Sequence, residues 1–101
     1  MALQALVQMR FDRAFIGACS VSEEGVGAAQ LADATFKRSV IARAERTVVL
    51  IANDKLDRAA PHQVAALGQI DMLVVEASAS AAQRASLDAA GCRAILVADP
   101  A

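Results

Sequence analysis

Three polar residues follow closely after a five-residue apolar run, and their types suit a polar ligand. The run is Thr47–Ile51, and Asn53, Asp54 and Lys55 come just after it. An amide, a carboxylate and an ammonium group can each hydrogen-bond to a hydroxylated or anionic molecule. The alternative is local: Asn53 and Asp54 make an Asx-type turn while Lys55 lies in solvent. The residue types alone leave both interpretations open.

A second group of polar residues belongs to the predicted loop 17–27 and to the helix predicted after it. Gly17 follows an apolar run and permits close approach of a ligand or of another backbone segment. Asp33 and Lys37 are four residues apart, which is the spacing of an ordinary surface ion pair. Alternatively, both side chains point towards the same pocket as Lys55. The loop has no GxGxxG or P-loop pattern, so it contains no phosphate-binding motif.

The remaining reactive side chains lack the neighbours that catalysis or metal binding needs. His62 is the only histidine, and no nucleophile or carboxylate accompanies it in a recognisable motif, so we interpret it as a loop residue. Cys19 and Cys92 have no metal-ligand spacing and are interpreted as reduced thiols of a cytosolic protein. We therefore expect no catalytic residue, no metal and no cofactor.

Length and charge exclude several classes of protein. A chain of 101 residues suffices for one domain, and its net charge of −1 provides no basic patch for nucleic acid. No apolar run approaches the roughly 18–20 residues of a membrane span. The first ten residues do not have the charged and apolar regions of a signal peptide. The expected location is the cytoplasm, without contact to membrane or nucleic acid.

Four apolar runs are predicted to form the strands that position the polar residues. Each run is continuous rather than alternating, which is typical of a strand covered on both faces. The runs are Ala14–Ile16, Thr47–Ile51, Met72–Val75 and Ala94–Val97.

Helical patterns separate these strands. Phe36, Val40 and Ala44 have the spacing of one helix face. The alanine-rich stretch 80–90 has Ser78 or Ser80 as its N-cap and Gly91 after its end. A third, shorter helix is predicted for residues 61–67, because Pro61 suits the first position of a helix.

Strand–helix–strand alternation predicts an α/β fold with a parallel sheet of about four strands and flanking helices. Residues 11–101 would form this domain, and residues 1–10 an N-terminal extension or short helix. Ligands of open parallel sheets bind beyond the carboxyl ends of the strands. The residues just past the four predicted strands are 17–20, 53–55, Glu76 and Asp99.

Six segments, taken in order, resemble the C-terminal effector domain of DeoR-type bacterial transcriptional repressors. The resemblance covers about residues 11–98. No single segment is specific, and the ordered series carries the resemblance. The segments are Asp12–Gly17, Glu24–Val26, Asp33 with Lys37, Val48–Lys55, Asp71–Glu76 and Gly91–Ile95.

The resemblance implies a fold shared with ribose-5-phosphate isomerase and the CoA transferases, and a sensor that binds a phosphorylated sugar or a similar small anion without catalysis. It also implies a ligand-binding role for Lys37 and Lys55. Lys55 corresponds to the lysine of the family's D-S-S-K turn, whose serines are Asn53 and Asp54 here and whose aspartate is Ala52. The expected ligand-binding residues are therefore Gly17, Lys37, Asn53, Asp54 and Lys55. Ser20 replaces the second glycine of the family's G-x-x-G.

The chain resembles only the C-terminal half of such a sensor, without the helix-turn-helix and the first half-domain that precede it in the family. Because half of a parallel sheet leaves an uncovered edge and apolar faces, we expect a homo-oligomer, most simply a dimer. Two alternatives stay open. One is an isomerase-like enzyme of the same superfold, with Asp54 or Glu76 as the base, and the other is an oligomerisation module that has lost ligand binding.

Overall fold

The computed structural model describes residues 9–98. The extension predicted for residues 1–10 therefore lies almost wholly outside the described residues, as does Asp99. The elements, in chain order, are β1 (Phe11–Gly17), β2 (Ser20–Ser22), β3 (Gly25–Ala28), α1 (Leu31–Arg43), β4 (Ala44–Leu50), β5 (His62–Ala65), β6 (Met72–Glu76), α2 (Ala81–Ala89) and β7 (Ile95–Ala98). Short 3-10 turns occupy Asn53–Lys55 and Leu67–Gln69.

The main sheet contains the four predicted strands in the order β1-β4-β6-β7, and every neighbouring pair is parallel. The predicted α/β class with a parallel sheet is therefore confirmed. Gly17, Leu50 and Val74 lie side by side near the carboxyl ends of their strands. At the opposite end, Thr47 N–H donates to Asp71 Oδ2 at 2.7 Å and Asp71 N–H donates to the Thr47 carbonyl at 2.9 Å. This reciprocal pair sets the register of β4 against β6.

A second, antiparallel sheet of β2, β3 and β5 was not predicted. The predicted loop 17–27 contains a hairpin, and β5 occupies the segment 61–67 where a helix was predicted. The hairpin needs glycine at position 25 for two reasons. The φ angle of Gly25 is +121°, and a Cβ atom at this position would collide with the Ala65 carbonyl oxygen. Pro61 precedes a strand because residues 62–65 pair with β3, a partner distant in sequence. The connection from β4 to β6 consequently contains no α-helix.

One face of the main sheet packs on a core made of aliphatic side chains. Val49 of β4, Leu73 of β6 and Leu87 of α2 are all buried within it. Val21 and Val26 of the small sheet belong to the same core, so the two sheets share one interior. Within residues 9–98, no helix is both long and apolar enough to cross a membrane.

The opposite face of the main sheet is not covered by any element of residues 9–98. Phe15 is 68% exposed, Leu96 52% and Leu50 43%, and all three point away from the core. The expectation that helices cover both faces is therefore wrong for the described part of the chain. A continuous apolar run also results when one face packs internally and the other is apolar but open.

The inward face of helix α1 matches the predicted one only in part. Ala34 is fully buried, and Val40 and Ile41 pack against the core, whereas Phe36 is 36% exposed. Ala44 already belongs to β4. Residues 34, 37 and 41 lie on one side of a helix, so this orientation also brings Lys37 to the inner side.

Helix α2 begins with the capping residue that the sequence indicates. Gln83 N–H donates to Ser80 Oγ at 3.0 Å, and Ser80 N–H donates to Gln83 Oε1 at 2.9 Å. This reciprocal arrangement is a capping box. Gly91 follows the helix with a φ of +108°, which favours glycine at the position after the helix end.

We predict that Val49→Asp prevents folding. The valine side chain is fully buried in a central strand, and an uncompensated carboxylate there should cost at least about 4 kcal/mol. Leu50→Asp, one residue along at a 43% exposed position, is the control and should melt much closer to wild type. Soluble yield and thermal melts measure the difference, and equal melting temperatures for Val49→Asp and wild type would contradict the buried placement of Val49.

We also predict that Ser80→Ala lowers the free energy of unfolding by about 1 kcal/mol, as for the loss of an N-cap. Ser78→Ala, at an exposed position two residues earlier, should change it by less than about 0.5 kcal/mol. Urea denaturation of both variants makes the comparison. Equal effects would show that Ser80 does not cap the helix.

Candidate functional site

A depression of about 390 Å³ lies at the carboxyl ends of the main sheet. Gly17, Leu50, Val74 and Ala98 contribute one strand end each, because the registers bring these ends to the same edge. The backbone continues the pairing here: Ala18 N–H donates to the Leu50 carbonyl, and Ile51 N–H to the Val74 carbonyl. The depression is therefore built on fixed backbone, with polar residues at its rim.

The rim carries one cation and one carboxylate. Lys55 and Glu76 both line the depression, and both residues are exposed. Glu76 Oε1 accepts a hydrogen bond of 2.7 Å from Asn53 N–H, which ties the turn after β4 to the end of β6. Buried Leu56 anchors the far end of the same turn. A ligand in the depression would thus meet an ammonium group beside a carboxylate held by the backbone.

The turn at residues 53–55 is a 3-10 turn and not an Asx-type turn. Lys55 N–H donates to the Ala52 carbonyl at 3.0 Å, and Leu56 N–H to the Asn53 carbonyl at 3.2 Å. Asn53 Oδ1 is buried and has no hydrogen-bond partner among residues 9–98. A buried acceptor without a partner is costly, so a donor from water or from a ligand would stabilise this amide.

Lys37 fixes the end of β1. Its Nζ donates to the Gly17 carbonyl at 2.7 Å and forms an ion pair with Asp33 at 2.9 Å. The ion pair suggested by the four-residue spacing is therefore present. The Lys37 side chain is only 19% exposed, because α1 places it on the inner side of the helix. Lys37 thus supports the edge of the depression through Gly17.

The five residues expected to bind a ligand occupy three different positions. Gly17 and Lys55 line the depression, and Lys37 contacts it through Gly17. Asn53 and Asp54 belong to the adjoining turn and are not among the residues that line the depression. Val74 and Ala98 were not expected at the site, because apolar residues inside strand runs provide no signal of their own.

A larger depression, of about 660 Å³, lies between α1 and β5 and includes His62 and Arg38. Arg38 Nε already donates to the Gln63 carbonyl at 2.9 Å, which joins the helix to the free edge of β5. This surface lies away from the carboxyl ends of the parallel strands. The arginine has a structural partner there, and His62 has no carboxylate or nucleophile among the residues lining the same depression.

The two cysteines differ in exposure. Cys19 is exposed just beyond β1, and Cys92 is buried. Burial raises the pKa of the Cys92 thiol above its ordinary value, a backbone hydrogen bond from Ala94 partly opposes this, and the carboxylate of Asp88 raises the pKa further. Cys92 is therefore a packing residue. No group of three or more potential metal ligands occurs within residues 9–98.

Comparison with known proteins finds two similarities. The DeoR C-terminal sensor domain family matches residues 1–77, which include β1 to β6 and leave α2 and β7 beyond the match. The HTH-type transcriptional repressor GlcR of Bacillus subtilis (strain 168) is 31% identical over 74 residues. These residues make up 73% of this chain and 29% of that repressor. The chain thus corresponds to less than a third of its relative's length.

We predict that a maleimide or iodoacetamide labels Cys19 and not Cys92 in the folded protein at pH 8. The exposed thiol is accessible, whereas burial and a raised pKa keep Cys92 protonated and out of reach. Mass spectrometry after timed labelling gives both rates, and denaturation in urea should make them similar. Equal rates in the native protein would contradict the packing of Cys92.

Proposed function

The chain belongs to the family of DeoR C-terminal sensor domains, and from this we propose that it senses a phosphorylated sugar, or a similar small anion, on behalf of a bacterial transcriptional regulator. Residues 11–101 would act as one α/β unit, since residues from Ala14 to Cys92 contribute to a single core. We propose further that the chain acts as a cytoplasmic homo-oligomer and makes no direct contact with DNA, because its net charge is −1.

The observation that carries this proposal is the depression at the carboxyl ends of the four parallel strands. Open parallel sheets bind ligands at this edge, and here it has a lysine ammonium group on its rim. Lys55 has no ion-pair partner among residues 9–98, so its charge is available to a phosphate group. Glu76 is placed to accept hydrogen bonds from sugar hydroxyls on the same rim.

The neighbouring turn offers a second polar contact. Asn53 Oδ1 is a buried acceptor without a partner in the described part of the chain, and it lies two residues before Lys55. We propose that this amide accepts a hydrogen bond from a hydroxyl group of a ligand held by Lys55. Asp54, exposed in the same turn, gives a further acceptor. An ammonium group next to several acceptors suits a molecule that has both a phosphate and hydroxyl groups.

We propose sensing rather than catalysis. An isomerase needs a carboxylate positioned to take a proton from the substrate. Glu76 is the carboxylate that lines the depression, and one of its oxygens already holds the Asn53 amide. Asp54 lies outside the lining. The family similarity is to regulatory domains, which supports the same choice.

The test is a panel of sugar phosphates, each with its free sugar and with inorganic phosphate as controls, followed by thermal shift and calorimetry. We expect at least one sugar phosphate to raise the melting temperature, with no product formed. Lys55→Ala should weaken its binding about tenfold or more, the cost of a charge-assisted hydrogen bond. Lys37→Ala should also weaken binding, because the Gly17 carbonyl loses its support.

Arg93→Ala is the matched control. Arg93 pairs with Asp71 at 3.5 Å at the amino end of the sheet, so its loss should leave the affinity unchanged. Binding that is equally strong in the Lys37→Ala/Lys55→Ala double variant would exclude this depression. Conversion of a sugar phosphate into product would favour the isomerase alternative, and a panel without any thermal shift would favour the oligomerisation module.

A further inference from the structure

The outer face of the small sheet, opposite the face that packs on the core, bears a depression of about 470 Å³. Val21 and Val26 are register partners, and both are buried in the core. Side chains alternate across a strand, so the register pairs on either side of these valines face outward. The space in front of the sheet stays open there, because each pair includes a glycine. We call it the outer depression; it lies between residues 59–61 and the pairs Ser20 with Gly27 and Ser22 with Gly25.

The Ser20 hydroxyl group points into the outer depression. Ser20 is only 3% exposed and belongs to the lining, and its Oγ has no hydrogen-bond partner among residues 9–98. A Cβ atom on Gly27 would lie 2.6 Å from this oxygen, so the hydroxyl group occupies the space that the glycine leaves. A buried hydroxyl group without a partner is costly. A ligand that forms a hydrogen bond with it would remove this cost.

A short segment covers the hydroxyl group. The same Cβ position on Gly27 lies 2.9 Å from the Ala60 side chain, so residues 59–61 pass over the sheet next to Ser20. Within residues 9–98, no hydrogen bond holds Ala60 to the small sheet. A ligand can therefore reach Ser20 by displacing one small side chain, without breaking a hydrogen bond.

The charged group at the outer depression is a carboxylate. Among residues 9–98, Glu24 is the one charged residue in the lining, and its carboxylate has no ion-pair partner there. The backbone of Glu24 is fixed on both sides. Its N–H donates to Ser22 Oγ at 3.2 Å, and its carbonyl accepts from Gln63 Nε2 at 3.0 Å. The second bond leaves Gln63 Oε1 as a further acceptor.

Charges around the outer depression do not reverse its sign. An adjoining depression of about 360 Å³ shares Glu24 with it and adds the carboxylates of Glu23 and Asp57. Arg58 precedes the covering segment, and Arg38 bonds to the backbone of β5, but neither lines either depression. Opposite charges attract and like charges repel, so this surface favours a cation over an anion.

We propose that the outer depression binds a small molecule that has an ammonium group and at least one hydroxyl group. The ammonium group pairs with the Glu24 carboxylate, and a ligand hydroxyl group forms a hydrogen bond with Ser20 Oγ. An ammonium group donates hydrogen bonds and accepts none, which suits the acceptors of Glu24 and Gln63. The outer depression shares no lining residue with the depression at the carboxyl ends of the main sheet. The proposal is therefore independent of sugar-phosphate sensing.

The first experiment compares serinol with glycerol, because serinol is glycerol with its central hydroxyl group replaced by an ammonium group. Each compound is titrated into the isotope-labelled full chain, and the amide signals are followed by NMR. We expect serinol to shift the signals of Gly25 and Gly27 with a dissociation constant of about 1–10 mM, since a ligand of so few atoms binds weakly. Glycerol should bind at least about threefold more weakly, because it lacks the charge-assisted hydrogen bond.

The second experiment separates the two contacts by substitution. Glu24→Gln should abolish the preference for serinol over glycerol, whereas Glu45→Gln, at an exposed position of β4, should leave it unchanged. Ser20→Ala should weaken serinol binding by about threefold or more. The same variant should melt at the same temperature as wild type or higher, because it removes a buried group without a partner. Lys55→Ala should bind serinol like wild type.

Unchanged amide signals at about 50 mM serinol would overturn the site. Equal affinity for serinol and glycerol would do the same, since the proposal requires the ammonium group. Serinol binding that is as strong in Ser20→Ala as in wild type would exclude the hydroxyl contact and with it this depression. A lower melting temperature for Ser20→Ala would show that the hydroxyl group has a structural partner, which also contradicts the proposal.

Discussion

Parallel pairing of β4 with β1 on one side and β6 on the other is the constraint on which the rest of the structure depends. The reciprocal bonds between Thr47 and Asp71 set the register at the amino end. The same register then brings Gly17, Leu50 and Val74 together at the other end. Residues far apart in the chain become neighbours there because parallel strands end at one common edge. The candidate site follows from this pairing rather than from a local motif.

Several polar side chains at this edge serve the backbone. Lys37 holds the Gly17 carbonyl, and Glu76 holds the Asn53 amide, so the loops leaving β1 and β4 are both fixed. Such contacts preorganise a binding edge, because less conformational freedom is lost when a ligand arrives. They also leave Lys55 as the lysine on the rim without an intramolecular ion pair among residues 9–98. In the proposed site, Lys37 therefore supports the backbone and Lys55 contacts the ligand.

The core is one-sided among the described elements. Helix α1 and the small sheet cover the face that bears Val49 and Leu73, and both residues are fully buried. The other face keeps Phe15 and Leu96 in solvent. A sheet that is apolar on both faces gains stability when its second face is also removed from water. Residues 9–98 therefore leave an apolar surface exposed on the face opposite the helices.

The sequence by itself determined the features that depend on residues close together in the chain, namely the strands of the main sheet and the cap of α2. Continuous aliphatic runs predicted the four parallel strands, and Ser80 with Gln83 forms a capping box within one helical turn. Tertiary pairing decided the rest. Residues 62–65 form β5 because they pair with β3, although Pro61 suits a helix start equally well. Lys37 supports the site because α1 buries Ala34 rather than Phe36. Both choices depend on which surfaces meet in three dimensions, and a linear pattern does not contain that information.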